Sequence, residues 1–222
     1  MYEIKNTKQV ELSDRIRFRC MRCADCCQHV EATIMIEIKD AFYLAKHLGI
    51  TVADFYDKYA QMFMLEDTGF PVFALKTVGN DKSCIFLKGK RCSVQTVKPR
   101  TCKLYPFLVF PDENGDFVYN YSTERRHHPK GSLIRVKDWM RDFLLDEDKE
   151  YLLEEARSIK EIAVPYKILY RSLKDPDSIL KKVLLYRYFM YDTGEPFMPQ
   201  FCRNNRVLKD DMERILTKFT SV

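Results

Sequence analysis

The residues of this 222-residue chain best equipped for chemistry are its eight cysteines, and their spacing narrows what that chemistry is. Cys20, Cys23, Cys26 and Cys27 form a C-x2-C-x2-C-C run, Cys84, Cys92 and Cys102 follow as C-x7-C-x9-C, and Cys202 stands alone near the C-terminus. Two-residue spacing lets one turn offer two sulfurs to a metal while the intervening backbone amides hydrogen-bond the thiolates. The adjacent pair adds a constraint, because neighbouring side chains diverge in most backbone conformations. Cys26 and Cys27 are therefore expected to serve two metals, or one metal and one open or redox position. Eight sulfurs can fill two four-coordinate zinc sites, one cubane cluster plus another centre, or one site with spare thiols. Soft thiolates select zinc, copper(I) or iron–sulfur and exclude magnesium and calcium as principal ions. An even cysteine count also permits disulfides, but two-residue spacings would close strained, very small loops. For Cys202 the competing role is that of a small buried hydrophobe.

Other polar groups enter as helpers. His29 lies two residues beyond the double cysteine, and His127 and His128 sit together before Pro129. Imidazole can replace a thiolate ligand or carry a proton, although turn and surface positions are the commoner use of such residues. His47 falls in a helical stretch and is read as structural. The net charge is +5. From Lys82 to Lys103 the chain carries Lys82, Lys88, Lys90, Arg91, Lys98, Arg100 and Lys103 and no acidic residue. Arg15, Arg17, Arg19 and Arg22 flank the first cysteine run with only Asp25 opposing them. Clustered thiolates repel one another unless cations and dipoles compensate, so these charges are expected to face the sulfurs. An exposed positive stripe for phosphates is the other use of such residues. The modest overall charge favours compensation, and no nucleic-acid partner is expected.

The elements that must position these side chains are short in the first part of the chain. Ile16 and Phe18 alternate with arginines into Cys20, and Val30 to Ile36 is β-branched and strand-like. From Glu37 the period turns helical through Ile38, Phe42, Leu44, Ala45 and Leu48, with Gly49 as the stop. Thr51 reads as the N-cap of a second helix through Phe55 and Tyr59. Strands are predicted at Val72 to Val78, Cys84 to Leu87, Phe107 to Phe110 and Phe117 to Tyr121, the last two joined by a turn containing Asn114 and Gly115.

After Ser132 the pattern is helical, over Val136 to Leu145, Glu147 to Ile162, Tyr166 to Leu173, Ile179 to Tyr191 and Val207 to Phe219, with breaks at Pro165, Pro176 and around Pro196 and Pro199. Trp139 fits the apolar side of its helix. The expected fold class is α+β: a cysteine-cluster metal-binding domain over 1–131, with a helical C-terminal region over 132–222 packed on it. A content of 46% hydrophobic residues supports a real core and argues against disorder. Apolar runs fall far short of the roughly 18 residues of a membrane span, so no membrane partner is expected. Met1 to Lys5 lacks the apolar stretch of a secretory signal, and a reducing cytoplasm is the expected compartment.

The string Cys20 to Cys27, then Cys84, Phe86 and Leu87 as C-x-F-L, then Cys92, Pro99, Cys102, Tyr105, Pro106 and Phe107, resembles the CxxCxxCC family, also called YkgJ-like, of zinc- or iron-chelating cysteine-cluster proteins. The resemblance covers roughly residues 18 to 110. This chain departs from the family where Lys98 replaces the usual Arg before Pro99, where Gln95 stands for a frequent aromatic, and where Ala24 stands for Gly. The resemblance implies an eight-cysteine metal site and kinship with flagellin lysine-N-methylases, which carry the same signature and are associated with an iron–sulfur cluster and S-adenosylmethionine.

A conventional nucleoside-binding methyltransferase would need a Gly-rich loop after a strand, whereas the seven glycines here are scattered singly. The C-x3-C-x2-C spacing of radical S-adenosylmethionine enzymes is also missing. A methyl donor would have to be held at the metal, with Phe18, Phe86, Tyr105 and Phe107 as candidate walls, though each also suits ordinary packing. Two functions from different classes follow. In the first, Cys20, Cys23, Cys26, Cys27, Cys84, Cys92, Cys102 and Cys202 hold an iron–sulfur cluster, 4Fe-4S favoured, that serves S-adenosylmethionine-dependent methylation of a protein substrate at lysine. In the second, the same cysteines hold structural zinc in a non-catalytic interaction module.

Overall fold

A computed structural model describes residues 6–20, 23–124 and 131–220. Its architecture is α+β, with small antiparallel sheets at the cysteine end and a helical C-terminal region. Strands β1 (Thr7–Val10), β10 (Phe117–Ser122) and β9 (Phe107–Pro111) form a three-stranded sheet in the order β1-β10-β9. The β9–β10 turn is tied by Asp112, whose Oδ1 accepts from the N–H groups of Asn114 and Asp116. Strand β2 (Arg15–Arg17) pairs with β11 (Leu133–Arg135), so the helical region returns a strand to the first cysteine run. At that junction Gly131 passes so close to the chain that a Cβ there would collide with the Arg19 backbone nitrogen.

The helices after the first run form where the local pattern places them. Helix α1 (Ile38–Leu48) ends at Gly49, left-handed at φ 66°, and α2 (Val52–Tyr59) begins with the Asp54 N–H donating to Thr51 Oγ1 at 3.0 Å. Strand β3 (Ala60–Met64) follows directly and pairs with β4 (Pro71–Leu75). The stretch from Val30 to Ile36 is not a strand. Ala32 takes a positive φ and Thr33 turns back onto the Val30 carbonyl, leaving one isolated bridge between Met35 and Ala74. The predicted Cys84 to Leu87 strand is also divided: β5 (Thr77–Val78) pairs with β6 (Ser83–Cys84), and β7 (Leu87–Lys88) with β8 (Arg91–Cys92).

The C-terminal region corrects two breaks. Helix α4 (Val136–Phe143) leads into α5 (Asp146–Ser172), which runs unbroken through Pro165. An interior proline costs roughly 3 kcal/mol. The buried side chains of Ile162, Tyr166 and Leu169 on either side of it, with the Tyr166 hydroxyl donating to the Gly69 carbonyl at 2.7 Å, hold both halves in line. Helix α6 (Pro176–Val183) continues as a π-helical turn, Leu184–Phe189, and α7 (Phe197–Thr220) starts ten residues before its predicted onset. Pro199 falls in the first turn of α7, where an amide donor has no intrahelical partner to lose.

One apolar core connects the two ends of the chain. Phe42 of α1 packs on Phe197 of α7, and Tyr151 of α5 on Phe197 and Phe201. Each such ring contributes about 1.5–3 kcal/mol by leaving water. Two polar links tie α5 to α1: Lys39 Nζ reaches Asp148 Oδ1 at 2.7 Å, and the Tyr43 hydroxyl donates to Glu147 at 2.6 Å. Among the described residues no helix is long and apolar enough to cross a membrane.

Candidate metal centre

Three stretches bring sulfur to one place. In the first, Ala24 adopts a left-handed conformation at φ 67°, ψ 4°, and the Cys27 N–H closes back on its carbonyl at 2.8 Å. Ala24, just before the tight turn Asp25–Cys27, stands where the resemblance implies glycine, and its positive φ supplies the reason. The chain then runs beside the second stretch, with the His29 and Val30 N–H groups donating to the carbonyls of Asp81 and Lys82. Cys84 follows at once. The β7–β8 hairpin turns through Gly89 at φ 59° and sets Cys92 opposite Leu87. The third stretch is helix α3 (Arg100–Leu104), which carries Cys102 and ends at Tyr105, before the cis Tyr105–Pro106 bond.

Helix α3 is short and is held by its surroundings. Arg100 is 6% exposed; its guanidinium donates to both Glu37 oxygens, at 2.9 and 2.5 Å, and to the Val109 carbonyl at 3.1 Å. Its backbone N–H donates to Asp40 Oδ1 at 2.9 Å. At the other end, the Trp139 indole N–H donates to the Leu104 carbonyl at 3.1 Å. Trp139 therefore anchors the helix that carries Cys102 as well as packing against Phe18. Asp40 is fully buried beside Glu37, and burial with that neighbour pushes its carboxyl up to about 8 despite the Arg100 amide.

A cavity of about 880 Å³ opens between these stretches, and Cys20, Cys26, Cys27, Cys84, Cys92 and Cys102 all line it. Cys26 and Cys27 do not diverge: their sulfurs stand 3.9 Å apart. Two thiolates on one tetrahedral ion at about 2.3 Å stand at a similar separation. The contact with Cys26, burial, and the nearby sulfurs of Cys84 and Cys102 push the Cys27 thiol far up. Burial, then Cys84 and Asp40, push Cys102 up to about 12. Cys84 is raised chiefly by burial, with the backbone amides of Phe86 and Leu87 opposing the shift. Donors of that kind stabilise a thiolate once a cation is present.

The donor chemistry thus fits a thiophilic metal. The thiols sense one another, lie partly out of water, and find little positive charge among their strongest neighbours. Among the described residues no three Cys, His, Asp or Glu side chains stand together as an ion-binding group. No disulfide is formed among the described residues.

The remaining candidates are placed differently. Cys23 is half-buried at the start of the turn and is not part of the cavity lining. Cys202 lies on α7, half-buried, and its electrostatic neighbours are Glu150, Glu154, Arg157 and Arg206, so the structure does not bring it to the other seven. His29 is exposed, with its ring near Asp81, and His47 is exposed in the last turn of α1. Arg22, His127 and His128 lie outside the described residues. Of the predicted aromatic walls, Phe86, Tyr105 and Phe107 line the cavity, whereas Phe18 packs against Tyr105 and Trp139. Of the arginines expected to compensate the sulfurs, Arg15, Arg17 and Arg19 are exposed, Arg91 borders the sulfur-lined cavity, and Arg100 is committed to Glu37. Sequence reasoning missed that clasp, whose partners lie 63 residues apart. The only signal for it was an arginine two positions before Cys102.

Comparison with known proteins gives a consistent family. A protein of Methanocaldococcus jannaschii, "Uncharacterized protein MJ0661", is 32% identical over 108 residues, which are 48% of this chain and 53% of the relative. This chain therefore spans about half the length of that relative. No solved structure matches the chain. Residues 19–128, which include seven of the eight cysteines and the whole sulfur-lined cavity except Thr7, match the family described as "CxxCxxCC: Putative zinc- or iron-chelating domain", and the chain belongs to that family.

Proposed function

We propose that this metal-binding protein holds an iron–sulfur cluster in the cavity, on thiolates drawn from Cys20, Cys23, Cys26, Cys27, Cys84, Cys92 and Cys102, and that the cluster acts on a molecule bound beside it. The observation that carries this reading is the room next to the sulfurs. Structural zinc sites are closed, four-coordinate and need no adjoining space, whereas six cysteines here share a cavity of about 880 Å³. A bound cluster supplies electron transfer and, at any iron not capped by cysteine, a binding point for a substrate heteroatom. The chain's own residues do the rest. Phe86, Tyr105 and Phe107 wall the cavity against water, and the Phe86 and Leu87 amides temper the charge on Cys84. The clasp of Arg100 on Glu37 fixes the helix bearing Cys102.

The reaction we attach to this reading is S-adenosylmethionine-dependent methylation of a protein lysine, which the family resemblance implies. Its support in the chain is the space for a donor, and we assign Glu124, a carboxylate at the cavity lining, as the base for an incoming amine. A structural zinc module is the second reading, and the 3.9 Å separation of the Cys26 and Cys27 sulfurs favours it, because one tetrahedral ion accommodates both. Anaerobic purification followed by a visible spectrum and analysis of iron, acid-labile sulfide and zinc separates the two. Matched iron and sulfide with broad absorption near about 400 nm is expected of a thiolate-ligated cluster. A colourless protein with stoichiometric zinc refutes the cluster. Methyl transfer is tested with isotope-labelled S-adenosylmethionine and candidate proteins, where no incorporation refutes that reaction and leaves the cluster untouched.

A further inference from the structure

The sulfurs occupy only part of the cavity lining. Val30, Ile34, Leu75, Val94 and Phe107 form an apolar wall, and Lys90, Arg91 and Lys98 also border the space. Lys90 and Arg91 are exposed at the β7–β8 hairpin and Lys98 is half-buried. Other cations of the same basic stretch are engaged: Lys82 with Glu31, Arg100 with Glu37 and Lys103 with Asp148. Among the described residues Lys90, Arg91 and Lys98 have no carboxylate partner.

From these observations we infer that the cavity binds a small organic anion, a phosphate or carboxylate on an apolar body of about one aromatic ring or more, beside the metal centre. The size suits it, since pockets for small molecules run from about 300 to 1,000 Å³. The charge arrangement suits it too: Lys90, Arg91 and Lys98 border the space, so the anionic group is held near them while the body lies against the apolar wall. Glu124, also at the lining, excludes a ligand that is anionic throughout. The inference rests on the metal-centre reading for what stands beside the ligand and is independent of methyl transfer.

The test is calorimetric titration of the anaerobically purified, metal-loaded protein with phenylphosphate, with benzyl alcohol as the neutral counterpart and inorganic phosphate as the anion alone. Saturable one-to-one binding of phenylphosphate is expected, at least tenfold tighter than either control. The double variant Lys90→Ala/Lys98→Ala is expected to weaken it at least tenfold, and Lys174→Ala, an exposed cation elsewhere, not at all. Phenylphosphate binding no tighter than benzyl alcohol, no binding of any of the three, or an undiminished affinity in the double variant overturns the inference. Iron and sulfide are measured on the same samples. Charge-dependent binding to a protein without a cluster supports the anion site and sinks the cluster, and a clustered protein with charge-independent binding does the reverse.

Discussion

Arg100 offers the sharpest test of how the fold holds its sulfurs. Replacing it with alanine removes two hydrogen bonds to Glu37 and one to the Val109 carbonyl, and strips the counter-charge from a carboxylate that is about four-fifths buried. Breaking a buried ion pair by deleting one partner costs about 3–5 kcal/mol, because the survivor stays desolvated and unpaired. The geometry supports the upper part of that range: the fork is bidentate, the guanidinium is 6% exposed, and the neighbouring Asp40 cannot substitute as a cation. Arg100→Lys keeps the charge and loses the fork, so about half the loss is expected of it. The assay is urea unfolding of the metal-loaded protein, with metal content measured at each step of purification. Arg100→Ala should lower both stability and metal retention, since the helix it anchors carries Cys102. A loss below about 1 kcal/mol would falsify the clasp as a structural determinant, because surface ion pairs already account for that much.

Asp40→Asn tests the buried carboxyl. Its folded-state value, about 8, lies above its ordinary 3.8, so its protonated form favours folding and the wild type loses that contribution as pH rises toward 8. The asparagine variant should unfold at a urea midpoint less dependent on pH between about 4 and 8. Gly131→Ala drives a methyl into the Arg19 backbone and should cost about 1–3 kcal/mol in thermal or urea unfolding; an unchanged midpoint would show that β2 and β11 separate freely. Ala24→Gly relieves a left-handed alanine and should raise stability by up to about 1 kcal/mol in the same assay, with metal content retained. Cys84→Ser should lower the metal per chain found by elemental analysis, whereas Cys202→Ser should leave it unchanged, given where α7 places that sulfur.

What the sequence made legible is what local physics decides. The stop at Gly49 and the cap at Thr51 depend on neighbours within a few residues, and both form as read. The β9–β10 hairpin is equally local. The failures are places where distant contacts outweigh local preference. Val30 to Ile36 has strand-forming residues, yet it bends through Ala32 to run between Lys82 and Phe73. Pro165 reads as a break, and burial on both of its sides keeps α5 whole. For the site, residue type and spacing marked the cysteines and left their relative placement open. The basic stretch was read as one compensating field because charge alone does not show orientation. In the structure it divides into a buried clasp at Arg100, surface pairs such as that of Lys82, and three cations bordering the cavity.

Helix α3 shows why the metal centre and the fold cannot be treated separately. Its successive residues meet different partners. Arg100 closes on Glu37, Thr101 and Cys102 line the cavity, Lys103 approaches Asp148 at 3.9 Å, and Leu104 accepts from Trp139. The sulfurs it helps to gather are held as thiols by burial and mutual repulsion, so a metal must displace protons to enter. Keeping those thiols close therefore falls to the surrounding core and ion pairs when no cation is present. A bound metal reverses the sign, because repulsion between sulfurs becomes shared attraction to one centre. The same five residues that hold the cluster of sulfurs together without metal thus transmit its stabilisation to α1, α4 and α5 with it, which is linkage between binding and folding expressed through one helical turn.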